Sequence, residues 1–408
     1  MNFPPLPEHR TLLAVSVDYP PFHRGGYELG SQRVLESLAG LGWQITVLTN
    51  EVPDGKTLPP GDAGRVRVWR RLDGDTHGRG RFGRELHNTR VLRAALDELR
   101  PAAVYFWKHE LLGTRLPSIA QQAGYRVLHY LSDATIPRLD RTHANSRLRA
   151  KFTRLGLSGL WPVVGLPAMR MILLDRYYDA PAELHFCSEA LRADAHANGI
   201  RGQREAVIPW GVELAQFPMP AAPQDARRLL YVGRLAPEKG IETAIRAVQL
   251  LRSKAEGAGA SLTIVGGGEP AYELELRGLV EKSGLAGSVQ FAGFASSAEV
   301  GAAYRTHGTL LFPSRWEEPF AITPLEAMAS GVVVVATATG GSREIFVDGE
   351  NALIFPVDDG AACADAAARL CTDANLRERL RRAGRSVVEQ RYTLEQMART
   401  IAAHLAQP

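Results

Sequence analysis

Short, continuous apolar runs alternate with amphipathic segments along nearly the whole chain of 408 residues. The pattern opens with an apolar run from Thr11 to Val17 and a turn rich in proline and glycine. A segment from Gln32 to Leu41 with apolar residues at helical spacing follows, and then a second apolar run from Gln44 to Leu48. Strands that are apolar throughout must be covered on both faces by helices, as in a parallel sheet. The alternation therefore predicts an α/β fold of doubly wound parallel sheets.

A polar, proline-rich stretch from Phe217 to Asp225 interrupts this alternation, which restarts beyond it. Such a stretch is typical of an interdomain linker, and a chain of this length exceeds what one core usually supports. We therefore predict an N-terminal domain of residues 1–215 and a second domain of residues 216–390. Because ligands of such sheets bind at the carboxyl ends of the strands, we expect the site in a cleft between the domains.

The composition is that of a globular enzyme and excludes several classes of protein. The net charge of +4 arises in the first domain, but its positive residues are scattered and lack interleaved aromatics, so we expect no nucleic-acid partner. The three cysteines, Cys187, Cys363 and Cys371, are too irregularly spaced for a disulfide framework or a metal knuckle. We expect a cytoplasmic protein with no secretion signal, no membrane-spanning helix and no metal site.

Residues 138–176 form the segment that could meet a membrane. Six Arg and Lys residues between Arg138 and Arg154 precede an uncharged stretch from Gly156 to Met169. Basic followed by apolar sequence favours peripheral contact with the inner face of the cell membrane, or a lipid-linked acceptor. The alternative is a solvated helix that leads into a buried segment.

Two carboxylates lie eight positions apart in the stretch from Leu310 to Glu344. Glu318 follows an apolar strand, and Glu326 falls inside a helix predicted to start near Pro324. The free amides at the start of a helix bind anions, so the turn before this helix is a candidate phosphate cradle. A carboxylate that binds hydroxyl groups, next to amides that bind phosphate, would suit a sugar nucleotide. The alternative is that Glu326 is an ordinary solvated helix residue.

Arg234 and Lys239 follow another apolar strand and lie in one loop before a helix. Two cations can neutralise the charge that develops on a diphosphate leaving group. The alternative is an ordinary solvated pair at a helix start, with Glu238 as the counter-charge.

Glycine pairs or runs follow three predicted strands. Residues without side chains let the backbone approach a phosphate or a sugar closely, although a double glycine is also an ordinary turn. The glycines concerned are Gly25 and Gly26, Gly266 to Gly268, and Gly340 and Gly341.

Taken together, these segments resemble glycosyltransferase family 4, whose members have the GT-B fold. The resemblance covers nearly the whole chain and is most specific in the second domain. The residues that carry it are the Gly25-Gly26 loop, Ile208 to Val212, Val232 to Arg234 with Lys239-Gly240, Val265 to Gly268, Phe291 to Gly293, Glu318 to Phe320, Leu325 to Ala329, Gly340-Gly341 and Glu344.

The resemblance implies two Rossmann-like domains that face a deep cleft, with the C-terminal helix, about residues 391–408, crossing back to the first domain. It also implies a retaining, metal-independent transfer of sugar with no cofactor beyond the nucleotide-sugar co-substrate, a UDP-sugar or a GDP-sugar. Arg234 and Lys239 would stabilise the diphosphate, Glu318 would contact the donor sugar, and Glu326 would bind the ribose hydroxyls. The further donor contacts that it implies are Gly25, Gly26, Gly233, Gly266, Gly267, Phe320, Ala321 and Ile322.

Some positions depart from the family pattern. Ser132, next to Asp133, occupies the place where the family often has a histidine, and both are candidate contacts to the acceptor or the sugar. His129 is predicted to be a core histidine of the preceding strand. Ala321 stands where glycine is common. Asp73-Gly74-Asp75 has the form of a metal-binding pair, but we interpret it as a surface loop.

These observations predict a transferase that moves a hexosyl or N-acetylhexosaminyl group from the nucleotide sugar to a hydroxyl acceptor, in glycan, glycolipid or polysaccharide biosynthesis. The acceptor is expected to be a glycan or a lipid-linked molecule. Two alternatives remain open. One is a non-catalytic protein of the same fold that binds nucleotide sugar or acts as a scaffold, and the other is a phosphorylase that uses free phosphate.

Overall fold

The structure is a computed structural model that describes residues 10–22, 26–52, 57, 65–74, 81–108, 112, 115–132 and 182–407. The chain forms two compact units, Met1–Ile208 with Ala398–Pro408, and Pro209–Met397. The second unit begins before the predicted boundary at residue 215 because Val212 pairs with Thr393 inside it. The 138–176 segment, Gly25 and Asp133 lie outside the described residues.

The first unit contains a seven-stranded parallel sheet in the order β3-β2-β1-β4-β5-β6-β7. Its central strand, β4, is buried along its whole length, as the apolar runs of the sequence predict. The strands are β1 (Thr11–Val15), β2 (Gln44–Asn50), β3 (Arg67–Leu72), β4 (Ala103–Phe106), β5 (Arg126–Leu131), β6 (Glu183–Phe186) and β7 (Arg204–Val207). The described helices are α1 (Gly26–Gly40), α2 (Arg81–Leu99), α3 (Leu116–Gln122) and α4 (Glu189–Ala197).

The second unit contains a six-stranded parallel sheet in the order β10-β9-β8-β11-β12-β13. One apolar core is built from this sheet and from the helices that pack on it. The strands are β8 (Arg228–Val232), β9 (Ser261–Val265), β10 (Val289–Gly293), β11 (Thr309–Phe312), β12 (Val333–Ala336) and β13 (Leu353–Ile354). The helices are α5 (Ile241–Arg252), α6 (Pro270–Lys282), α7 (Ser297–Tyr304), α8 (Ile322–Ala329), α9 (Gly360–Thr372) and α10 (Ala374–Arg391), followed by α11 (Leu394–Ala406).

The prediction of two α/β domains with parallel sheets is confirmed. Helix α10 continues through Gly384, where a Cβ atom would lie 3.1 Å from Cγ of Met328. The glycine therefore lets α10 approach α8 closely, and it does not end the helix. The chain leaves the helix at Tyr392 and Thr393, between α10 and α11.

Helix α11 ends on the sheet of the first unit, to which residues from Ala398 onward belong. Arg126 at the start of β5 forms a two-pronged ion pair with Glu183, at 2.6 and 2.7 Å. The same guanidinium donates hydrogen bonds to the carbonyl oxygens of His404 and Leu405, at 2.8 and 3.1 Å. One arginine thus satisfies backbone acceptors that the end of a helix leaves open.

No helix among the described residues is long and apolar enough to cross a bilayer.

Candidate functional site

The carboxyl ends of β8 and β9 meet in glycine turns that only glycine can form. A Cβ atom on Gly266 would lie 1.9 Å from the carbonyl oxygen of Gly233, and one on Gly268 would lie 1.9 Å from that of Leu235. Gly233 in turn donates its amide to the carbonyl of Val265, at 3.0 Å. The structure therefore brings together the predicted Gly233 and Gly266, while Gly267 faces open space.

Lys239 and Glu318 form the central ion pair of this edge of the sheet. The Lys239 Nζ atom lies 2.7 Å from Oε1 and 3.0 Å from Oε2 of Glu318, although 79 residues separate them along the chain. The side chains are 18% and 6% exposed. The ammonium also lies 4.9 Å from the centre of the Trp316 ring. Both residues were predicted from separate stretches, and the structure joins them in one site.

The loops that carry this pair are fastened to each other by their backbones. The carbonyl of Glu238 accepts the amides of Arg315 and Trp316, at 2.9 and 3.2 Å. Gly240 follows Lys239 with a φ of 66°, and a Cβ atom there would lie 2.1 Å from the carbonyl oxygen of Pro313. A left-handed residue without a side chain is needed to pass so close. The position of Lys239 is therefore set by the backbone.

Glu318 is held by two further hydrogen bonds, one to its side chain and one to its backbone. The Ser314 hydroxyl donates to its Oε1 at 2.6 Å, and the amide of Gly341 donates to its backbone carbonyl, also at 2.6 Å. Gly340 has a φ of 52°, and a Cβ atom there would lie 2.3 Å from the Glu318 carbonyl. The predicted Gly340-Gly341 turn therefore supports the backbone of Glu318. Ser314 was not predicted as a site residue. The signal available in the sequence was a hydroxyl side chain just after the apolar run of β11.

Helix α8 begins immediately after this loop. Ala321 is the residue before its first turn, and no side chain caps the start of this helix. Ile322 opens the helix, and the buried Phe320 packs its ring 5.9 Å from that of Tyr392. The predicted Phe320, Ala321 and Ile322 thus lie where helix-start amides and the dipole favour an anion.

Glu326 lies in the second turn of α8 and is half-buried. The hydroxyl of Tyr304, at the end of α7, lies 3.2 Å from its Oε2 and 3.2 Å from the carbonyl oxygen of Thr323. Tyr304 is fully buried, and this burial, followed by the charge of Glu326, raises its pKa well above the ordinary value. The phenol therefore keeps its proton and can act as a hydrogen-bond donor. Nothing in the sequence pattern pointed to Tyr304.

Arg234 is the most exposed member of the group. Its Nη2 atom lies 2.5 Å from Oε1 of Glu238, and the side chains are 61% and 38% exposed. The pKa of Glu238 is lowered by a hydrogen bond from its own backbone amide and by the charge of Arg234. Glu238, which the sequence suggested as the counter-charge, therefore does pair with Arg234. An exposed pair of this kind contributes little to stability, so Arg234 can exchange Glu238 for another anion.

Two of the predicted site residues, Gly26 and Ser132, belong to the first unit. Gly26 opens α1, and Ser132 follows β5. His129 is a buried residue of β5, as predicted, and burial lowers its pKa to about 3. The interpretation of Asp73 as a surface residue is wrong. It is fully buried, and its amide donates to the side-chain oxygen of Asn88 at 2.8 Å.

Across the described ranges, no group of three or more His, Cys, Asp or Glu residues could hold a metal ion.

Comparison with known proteins identifies the domain that carries the ion pair. Residues 214–387 match the family model described as Glycosyl transferases group 1. Over 213 residues the chain is 33% identical to the lipopolysaccharide core biosynthesis mannosyltransferase LpsB of Rhizobium meliloti, a match that covers 48% of this chain and 59% of that protein. Over 328 residues it is 29% identical to the GDP-mannose-dependent alpha-(1-6)-phosphatidylinositol monomannoside mannosyltransferase of Mycobacterium tuberculosis, covering 69% of this chain and 84% of that protein.

The fold is shared with solved structures over both units. Sucrose-phosphate synthase from Thermosynechococcus elongatus superposes with a TM-score of 0.73 at 20% identity, covering 96% of this chain and 97% of that one. This likeness confirms the predicted GT-B fold. The residues of the ion pair and of α8 all fall within the part that matches the group 1 glycosyltransferases.

Proposed function

We propose that this chain, which carries a group 1 glycosyltransferase domain, transfers a hexosyl group from a nucleoside diphosphate sugar to a hydroxyl acceptor with retention of configuration and without a metal. The observation that carries the proposal is the Lys239–Glu318 pair, which lies at the carboxyl end of the second sheet beside the uncapped start of α8. Cation, carboxylate and free helix-start amides are the groups that a sugar diphosphate requires.

In this proposal Lys239 and Arg234 stabilise the diphosphate as it leaves. An ammonium group has three N–H donors, and the two contacts to Glu318 leave donor capacity for a phosphate oxygen. Arg234 offers its planar fork from an exposed position once it leaves Glu238. The amides of Ala321 and Ile322 add partial positive charge at the start of α8.

The carboxylates bind hydroxyl groups of the donor. Glu318, already oriented by Lys239 and Ser314, accepts hydrogen bonds from the sugar, and Glu326 accepts them from the ribose. Gly233, Gly266, Gly267 and Phe320 complete the donor pocket. For Gly25, Gly26, Ser132 and Asp133, the contacts to the donor or the acceptor stay predictions.

The transfer needs no protein nucleophile. The bond between the anomeric carbon and the phosphate oxygen breaks, and the acceptor oxygen bonds to the same face of that carbon. The leaving phosphate oxygen takes the proton of the acceptor hydroxyl. Catalysis then consists of positioning and of charge stabilisation by Lys239 and Arg234.

The names of the relatives suggest the donor and acceptor to test first. One is described as a lipopolysaccharide core mannosyltransferase and another as a GDP-mannose-dependent enzyme that acts on a phosphatidylinositol monomannoside. We therefore infer a GDP-mannose donor, with a UDP-sugar as the other donor that the family resemblance implies, and a glycan or lipid-linked acceptor. In the same proposal, residues 138–176 contact the inner face of the membrane.

Release of GDP or UDP from a panel of nucleotide sugars, with a lipid extract as the acceptor source, tests the proposal. We expect turnover with one donor and no loss of rate in EDTA. Nucleotide binding without turnover would favour the non-catalytic alternative, and dependence on free phosphate would favour the phosphorylase. A chain that binds no nucleotide sugar would contradict the proposal.

A further inference from the structure

Tyr304 connects the end of α7 to the first turns of α8 through one hydroxyl group. Its oxygen lies 3.2 Å from both the Glu326 carboxylate and the Thr323 carbonyl oxygen. The two acceptors are three residues apart on the same face of α8. A single phenol thus touches both the helix start and the carboxylate that the proposed function assigns to the ribose.

The ring of Tyr304 has little freedom to move. It is fully buried, and the Phe217 ring packs against it edge-on with 6.0 Å between centres. Phe217 is itself 2% exposed. A buried phenol without a hydrogen-bond partner costs free energy. The hydroxyl therefore stays directed at its acceptors on α8. The raised pKa keeps it protonated at every physiological pH.

Glu326, by contrast, is only half-buried and stands on a short helix. A glutamate side chain has three rotatable bonds, and ordering it on ligand binding costs conformational entropy. A fixed donor on the carboxylate reduces that cost, because the side chain is already ordered when the ligand arrives. Preorganisation of this kind increases affinity without any direct contact to the ligand.

We infer that Tyr304 is a positioning residue that orients the Glu326 carboxylate toward the ribose hydroxyls of the nucleotide. The inference rests on the proposed function. Because the inference concerns only the ribose, loss of Tyr304 should weaken binding through the ribose hydroxyls and leave the contribution of the phosphates unchanged.

The test measures dissociation constants by calorimetry. The ligands are GDP or UDP, whichever the wild-type chain binds more tightly, and the 2′,3′-dideoxy form of that same nucleotide. Tyr304→Phe removes the hydroxyl and keeps the buried ring. We expect it to weaken binding of the ribonucleotide about ten-fold, at the low end for a hydrogen bond to a charged group, and binding of the dideoxy form less than two-fold. With Glu326→Ala in place, adding Tyr304→Phe is expected to have no further effect.

Tyr272→Phe is the matched control, because the Tyr272 hydroxyl also donates to a glutamate, Glu242, at 2.7 Å in the same unit. We expect it to change neither constant by more than about two-fold. Equal weakening of both nucleotides by Tyr304→Phe would assign it a purely structural role and overturn the inference, as would an unchanged constant. If the wild-type chain binds neither GDP nor UDP, the proposed function fails first, and the inference fails with it.

Discussion

Lys239→Met removes the ammonium group 2.7 Å from the Glu318 carboxylate and keeps a side chain of similar length. The carboxylate, 6% exposed, then keeps the Ser314 hydroxyl at 2.6 Å but has lost the cation that neutralises it. Removing one partner of a buried pair costs about 3–5 kcal/mol. Because Lys239 is 18% exposed and Ser314 remains, we expect about 2–3 kcal/mol here.

The expected loss is measurable as a shift of the thermal unfolding midpoint. In a domain of this size, 1 kcal/mol corresponds to about 2–4 °C, so Lys239→Met should lower the midpoint by about 4–12 °C. Glu318→Gln should cost less than half of this, since the more exposed ammonium can turn to water. The double variant should unfold within about 3 °C of the wild type, because no charge is left without a partner.

Differential scanning calorimetry of the four proteins gives the coupling between the two substitutions directly. All three variants should lose glycosyl transfer, which separates the stability effect from the catalytic one. If Lys239→Met unfolds at the wild-type temperature, or if the double variant is the least stable of the four, the account of this pair as a neutralised buried unit is wrong.

Three further predictions follow from other positions. Arg234→Ala should lower kcat/KM at least about 100-fold while leaving the thermal midpoint within about 2 °C, whereas Arg227→Ala, at another exposed ion pair, should change neither. Gly340→Ala should destabilise the chain clearly more than Gly349→Ala, since both glycines have positive φ but a Cβ atom meets backbone at 2.3 Å only in the first. Because burial lowers the pKa of His129 to about 3, the unfolded chain takes up that proton first as the pH falls below about 6.5. Stability should therefore decrease from pH 6.5 toward pH 3, by up to about 1.4 kcal/mol per pH unit, and His129→Leu should flatten the acid side of a plot of midpoint against pH.

Much of the fold was predictable because most strands of both sheets are continuous apolar runs. Strand β3 was not predicted because it lacks such a run. Strand β3 has the sequence RVWRRL, and its arginines bind locally: Arg70 donates to the carbonyl of Tyr19 at 3.2 Å, and Arg71 stacks over Trp69 at 4.2 Å. An edge strand can carry such residues because one side of it is not covered by another strand.

Individual site residues were identifiable from the sequence, but their pairing was not. Sequence spacing suggested Glu238 as the counter-charge of the loop, and it does pair with Arg234, four positions away. The partner of Lys239 is Glu318, whose proximity arises only when β8 and β11 lie side by side in the sheet. Tyr304 was missed for the same reason, because its contact with Glu326 depends on how α7 meets α8.

The anomeric configuration of the product tests the central claim most directly. NMR of the transfer product, made with GDP-mannose or with the UDP-sugar that supports the fastest release, gives the configuration of the new glycosidic bond. We predict a product with the α configuration of the donor and loss of the signal with Lys239→Met. A product of inverted configuration, or transfer that persists in Lys239→Met, would contradict the account.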